Sequence, residues 1–127
     1  MDQIPRDLPA LAAADAISHK AAKLGFDWRS IEGVFDKISE ELQEIRSAGD
    51  ALEREEELGD VLFALANLAR WLQIDPESAL RKANAKFSAR FRAVERFAHQ
   101  QQRPLSGMSD QELDGLWTEA KRAGVAD

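Results

Sequence analysis

Residues 50–72 read DALEREEELGDVLFALANLARWL. Leu58, Val61, Leu62, Leu65, Leu68, Ala69 and Leu72 recur there in steps of three and four, the period of an amphipathic helix rather than the alternation of a strand. Asp50 followed by Glu53 has the form of a capping box, so the helix is predicted from there to about Leu72. The same pattern extends in both directions. Upstream, Ser47-Ala48-Gly49 breaks a helix predicted from Trp28 to Arg46, with Asp27 as its cap. Gly33 weakens its first turns, and Val34, Phe35, Ile38, Leu42 and Ile45 form its apolar stripe. Before it, Pro9 opens a helix that buries Leu8, Leu11, Ala12, Ala21 and Leu24 and stops at Gly25. Downstream, Asp75-Pro76 caps a helix reaching about His99, in which Leu80, Asn84, Phe87, Phe91, Val94 and Ala98 make a bundle seam. Residues 103–108 read as a loop. Ser109 and Glu112 then box-cap a last helix carrying Leu113, Leu116, Trp117 and Ala120. The expectation is an all-α helical bundle forming one domain over residues 1–127. Its apolar faces exceed what a short bundle buries internally, so completion as a homodimer or higher homo-oligomer is expected.

Composition narrows the function classes. The 127 residues suffice for one compact domain with a core. Ala, Leu, Glu, Arg and Lys dominate and there is no tyrosine, which favours helix. No cysteine is present, which excludes disulfides, thiolate nucleophiles and Cys-based zinc sites. The first residues lack the basic and apolar regions of a secretory signal, and no apolar run approaches a bilayer span. A net charge of −6 argues against nucleic-acid or anionic-membrane partners. A cytoplasmic setting fits all of this. Charge is also polarised: residues 36–60 hold ten acids against three bases, residues 80–103 seven bases against one acid. Such halves suit a cation and a polyanion held together, or else surface ion pairing.

The acidic half nearly repeats itself. Glu40-Glu41-Leu42-Gln43-Glu44-Ile45 is echoed by Glu56-Glu57-Leu58-Gly59-Asp60-Val61. At about 100° per residue, Glu41 with Glu44, and Glu57 with Asp60, lie one turn apart on the same edge of each apolar stripe. The connecting loop is short, so the helices pack antiparallel and up to four carboxylates converge. Close carboxylates need a cation, and Mg²⁺ or Mn²⁺ are the hard ions that oxygen donors suit. The plainer reading is a solvated acidic face supported by pairs such as Lys37–Glu41. Glu40, Glu55 and Glu56 point away from the converging edge. Gly59 inside a helix suggests close approach of something there. A ferritin-like di-iron site would need Glu-x-x-His, which neither His19 nor His99 provides. Both histidines read as helix-surface residues.

In the basic half, Lys82, Lys86 and Arg90 form a row one turn apart beside Phe87 and Phe91, suited to phosphates or to a solvated face. Trp117, one turn before Lys121, is either a stacking element or core. Trp28 and Trp71 read as core or interface.

The strings Lys37–Glu44, Glu56–Arg70 and Lys82–Phe91 together resemble the MazG family, most closely the C-terminal domain of bacterial MazG nucleoside triphosphate pyrophosphohydrolases. Lys20–Trp28 and the region of Trp117 and Lys121 fit the same resemblance, which spans about Leu8 to Arg122. It implies an all-α NTP pyrophosphatase fold, usually dimeric, that hydrolyses an NTP or dNTP to the monophosphate and pyrophosphate with Mg²⁺. It implies Glu41, Glu44, Glu57 and Asp60 as metal ligands and catalytic residues. By the same resemblance Lys37, Glu53, Arg54, Glu55, Glu56, Lys86, Arg90, Trp117 and Lys121 contact the nucleotide. The Glu44-to-Glu57 spacing is compact relative to the family, which bears on residues 53–56, and many relatives carry two such domains where this sequence carries one. A non-catalytic helical regulatory module and a related dUTPase- or dCTPase-type enzyme are the competing functions.

Overall fold

A computed structural model describes residue 1 and residues 3–124. Five α-helices and one short 3₁₀ turn account for its regular structure: α1 (Ala10–Lys23), α2 (Ile31–Ser47), α3 (Ala51–Trp71), α4 (Pro76–Gln100), the turn Leu105–Gly107, and α5 (Asp110–Arg122). Among the described residues there is no strand, so the all-α expectation holds. Contacts divide the chain into two compact units, one ending at Ala79 and the other starting at Leu80.

Helix ends follow local chemistry. Gly25 takes φ +94°, a left-handed conformation that glycine adopts without a Cβ penalty, and ends α1 as predicted. The α2 boundary differs from its prediction. Ser30, not Asp27, is the cap, accepting from the Gly33 amide, and the helix starts at Ile31. Asp27 instead accepts from the Trp28 amide and turns towards α3. The Trp28 ring packs over Gly33, 3.4 Å from where a Cβ there would sit, which is ordinary contact. At α3, Asp50 accepts from the Glu53 amide, but the Glu53 carboxylate reaches back to the Gly49 amide rather than to Asp50. The predicted box is therefore offset by one residue on its return bond. Asp75 caps α4 through the Glu77 amide. At α5 the reciprocal Ser109–Glu112 box is complete. The predicted loop before it contains the 3₁₀ turn.

In the first unit α3 packs against both α1 and α2. Val34, Val61, Ala64 and Ala66 are its buried apolar residues. A polar network ties α1 to α3: the Ser18 hydroxyl donates to Asn67 Oδ1 at 2.7 Å, and Arg70 donates to Ser18 Oγ at 2.8 Å and to Asn67 Oδ1 at 2.7 Å. Arg70 also pairs with Asp27, which accepts a further bond from the Trp71 indole at 3.2 Å. One guanidinium thus fixes α1, the loop before α2 and the end of α3, and it holds the Asp27 carboxyl below its usual range against the opposing effect of burial.

The second unit is centred on Ala93, Val94 and Ala98 of α4 with Leu116 and Ala120 of α5, and Phe97, Leu105, Met108 and Trp117 pack on them. The predicted α4 seam is buried only at Val94 and Ala98. Leu80, Asn84, Phe87 and Phe91 are exposed within this chain. Phe87 and Phe91 stack with centroids 6.1 Å apart, and Phe87 tilts against Trp117 at 5.3 Å.

Arg70→Leu is expected to lower unfolding free energy by roughly 2 kcal/mol, because it removes the charged donor shared by Asp27, Asn67 and Ser18 and leaves Asp27 and Asn67 only their neutral donors. Urea denaturation with an unchanged m-value checks this, and wild-type stability in the variant contradicts it.

Candidate metal centre

Helices α2 and α3 form a hairpin joined through residues 48–50. On α2 the positions facing α3 are Val34, Ile38, Glu41 and Ile45, and on α3 they are Glu57, Val61, Ala64 and Leu68; all eight are buried or half-buried. Both sets step by four, three and four residues, the spacing of a packed seam. Glu41 and Glu57 therefore occupy seam positions themselves. This corrects the expected phase, which centred the seam on Leu42 and Leu58 with the acids at its edge. Leu42, Leu58 and Leu62 are instead 50%, 52% and 51% exposed, while Glu41 is only 4% exposed. The near-repeat in sequence is real, but its inward residue is the second acid of each copy.

Carboxylate oxygens of Glu41, Glu44 and Glu57 lie within 4.8 Å of one another. Asp60 is not in that group; it is exposed and lies with Lys37 and Glu41 on the wall of an adjoining cavity of ≈ 360 Å³. Lys37 donates to Glu41 Oε1 at 2.8 Å and approaches Glu40 at 3.7 Å, the ion pairs that the sequence offered as an alternative. That ammonium is the main cause holding the Glu41 carboxyl below its ordinary value. It does not neutralise the cluster. Glu41 Oε2 and Glu57 Oε2 are both hidden from solvent without a hydrogen-bond partner. Glu57 is pushed up to about 7, first by the Glu44 carboxylate beside it, then by burial, then by Glu41.

Two hidden, unpartnered carboxylate oxygens within a group of three acids are what a divalent cation would satisfy. The donor set is all oxygen and carries no histidine or thiolate, which fits a hard ion such as Mg²⁺ or Mn²⁺ better than zinc or copper. Glycine at 59 has no packing cause in this chain, since a Cβ there meets nothing within 4 Å. Glu53, Arg54, Glu55 and Glu56 are exposed on the first turns of α3 outside the cluster. Lys86, Arg90, Trp117 and Lys121 belong to the second unit, where the Arg90 guanidinium sits 5.9 Å from the Trp117 ring centre. Trp117 is half-buried on the core there, as an aromatic at that spacing suggests. His19 and His99 are exposed, as expected, and His19 faces Asp15 at 3.3 Å.

Sequence reading missed a second cavity of ≈ 520 Å³ beside the first, sharing Phe26, Trp28, Phe63 and Asn67 with it. Its signal was present: Asn67 and Arg70 are polar residues one turn apart in the otherwise apolar run of residues 61–72, and a polar side chain in such a run needs a partner.

The class that fold and site define is an all-helical chain whose hairpin seam gathers three carboxylates able to hold a divalent cation. The profile of the MazG nucleotide pyrophosphohydrolase domain matches residues 14–94. A nucleoside triphosphate pyrophosphohydrolase/pyrophosphatase MazG of Thermotoga maritima is 46% identical over 114 residues, covering 90% of this chain and 45% of that protein. A nucleoside triphosphate pyrophosphohydrolase of Escherichia coli K12 is 42% identical over 130 residues, covering 98% of this chain and 49% of that protein. The chain belongs to the MazG family, and it spans about half the length of the curated relatives it matches.

The cluster sets a pH signature for the metal-free protein. Glu57 titrates near 7 when folded and near 4.5 when unfolded, so the folded state holds the extra proton between those values. Stability from this group is complete below about pH 4.5 and is lost as pH rises towards 7. Glu41 has the opposite sign, and its contribution is already complete above about pH 4.5. In EDTA, Tm is expected to fall from pH 5 to pH 7.5 more steeply for wild type than for Glu57→Gln, and millimolar Mg²⁺ is expected to raise Tm more at pH 7.5 than at pH 5. Parallel Tm–pH curves for the two proteins contradict the assignment.

Proposed function

We propose that this chain hydrolyses nucleoside triphosphates, NTP or dNTP, to the nucleoside monophosphate and pyrophosphate, one water being consumed per turnover. The observation that carries the reading is the trio Glu41, Glu44 and Glu57, with two of its oxygens hidden and unpartnered, in a chain that belongs to the MazG family. Glu41, Glu44, Glu57 and Asp60 are proposed to hold Mg²⁺, or Mn²⁺. When bound, the cation would lower the pKa of water and neutralise phosphate charge. A carboxylate of this group would accept the proton that the attacking water gives up. No cysteine exists to act as a covalent nucleophile, which fits direct attack by water. Lys37, which pairs with Glu41 in the metal-free chain, is proposed to exchange that bond for one to phosphate once a cation occupies the carboxylates.

Lys86, Arg90, Trp117 and Lys121 are proposed as nucleotide contacts on the strength of the family pattern, with Arg90 suited to a phosphate by its paired donors. Glu53, Arg54, Glu55 and Glu56 are proposed with them. The family match runs without interruption through residue 79, and the chain is proposed to act as one functional domain. No helix among the described residues is long and apolar enough to cross a membrane. The proposed setting is the cytoplasm, without nucleic-acid or membrane partners. A second copy of the chain is the proposed partner, because Leu42, Leu58, Leu62 and Leu65 stay between 44% and 52% exposed on the hairpin.

Pyrophosphate release from an NTP panel in Mg²⁺ is expected to vanish in EDTA. It is expected to drop at least about a hundredfold in Glu57→Ala and in Asp60→Ala with helical circular dichroism retained. Full activity in both variants would refute the ligand assignment, and no release by wild type from any substrate would leave a non-catalytic helical module. Light scattering at micromolar concentration is expected to give twice the chain mass, and the monomer mass for Leu62→Glu. A monomeric wild type removes the dimer.

A further inference from the structure

The cavity beside the carboxylates is built around one amide whose orientation is fixed. A guanidinium can only donate, and Arg70 donates to the Asn67 side chain from Nε at 3.2 Å and from Nη2 at 2.7 Å. The atom facing Arg70 must therefore be the carbonyl oxygen. Ser18 donates to that same oxygen at 2.7 Å, and Asp27 anchors Arg70 from its other side. The amide cannot flip without setting its NH₂ against both Arg70 donors. No acceptor among the described residues takes up that NH₂ group, and Asn67 lines both adjoining cavities. Asn67 thus offers a ligand donors and no free acceptor.

The surroundings say what kind of ligand. Phe26, Trp28 and Phe63 line both cavities, offering flat apolar surface of the kind that stacks on a heteroaromatic ring. The smaller cavity carries Lys37, Glu41 and Asp60 on its wall, so a molecule whose phosphates sit at the carboxylates has these aromatics immediately beside it. We propose that Asn67 is the base-reading residue of this site, and that its donor-only edge selects a nucleobase with a carbonyl at the purine 6 or pyrimidine 4 position over one with an amino group there. This rests on the proposed triphosphate hydrolysis and assigns its specificity. A carbonyl accepts from the amide, whereas an exocyclic amino group would face it donor to donor and leave both unpaired, a penalty that one direct hydrogen bond turns into roughly tenfold discrimination.

The test uses substrate pairs that differ on the read edge: inosine against adenosine triphosphate, and uridine against cytidine triphosphate. With Mg²⁺, wild type is expected to show kcat/KM about tenfold higher for the carbonyl member of each pair. Asn67→Asp keeps one oxygen for Arg70 and Ser18 and turns an acceptor to the cavity. Its ratio is expected to shift towards the amino member in both pairs. Ratios in Asn67→Asp equal to those of wild type overturn the proposal while hydrolysis stands, and so does a wild type that prefers the amino member of each pair, even if the variant does not fold. No pyrophosphate from any of the four by wild type overturns the hydrolase reading and this one with it.

Discussion

Glu41 and Glu57 face one another from seam positions of the α2–α3 hairpin, where a bundle built for stability alone would carry leucine. Close approach of two partly desolvated carboxylates is unfavourable, and the rest of the first unit is arranged around that constraint. Ala64 and Ala66 are buried on α3, which packs against α1 and α2. Lys37 neutralises one oxygen of Glu41. The third acid, Glu44, adds to the repulsion instead of relieving it, and Glu57 responds by favouring its protonated form. Three acids in that position cost stability in the metal-free chain, and the proposed cation is what would offset that cost.

Putting acids on the inner seam also decides what lies outside. With Glu41 and Glu57 turned inward, the next residue in each copy, Leu42 or Leu58, is turned about 100° away and left exposed. Leu58, Leu62 and Leu65 continue that outer stripe at helical spacing, so α3 is apolar on two faces. Within the first unit α1 and α2 pack on α3, and Leu58, Leu62 and Leu65 stay outside that packing. The inward acids and the exposed stripe thus have a common origin in the phase of the acid-acid-Leu motif.

Periodicity gave five helices because each boundary carries its own chemistry: Gly25 with positive φ, Asp50, Asp75-Pro76 and the Ser109–Glu112 box. It failed at Asp27, since an Asx residue before a helix can cap it or bond elsewhere, and Arg70, 43 residues away, made the difference. It also chose the wrong centre for the seam. Hydrophobicity assigns the inner face to leucine, whereas the chain rotates by one residue to put Glu41 inside, paired with Lys37. The three clustered acids were nonetheless legible, because two copies of one motif on consecutive helices share their phase. The cavity around Asn67 was not, because it takes the end of α1, the loop at Trp28 and the middle of α3 to form it.

The two polar clusters of the first unit differ in a way that separates scaffold from site. Around Arg70 the bonds are made within the protein: Ser18, Asn67, Asp27 and Trp71 each contribute to one connected network that joins three segments. A network of that kind rigidifies what it touches. Around Glu41 and Glu57 the bookkeeping does not close, and two oxygens stay hidden without partners. Desolvating an acceptor costs on the order of 1–3 kcal/mol when nothing replaces water. Asp15 Oδ1 on α1 is likewise hidden without a hydrogen-bond partner, but only at Glu41 and Glu57 do two such oxygens belong to one group of acids. Oxygens left open beside a rigid network are what the proposed cation would satisfy, and Glu41 and Asn67 line one cavity, so the proposed metal site and the Asn67 edge adjoin.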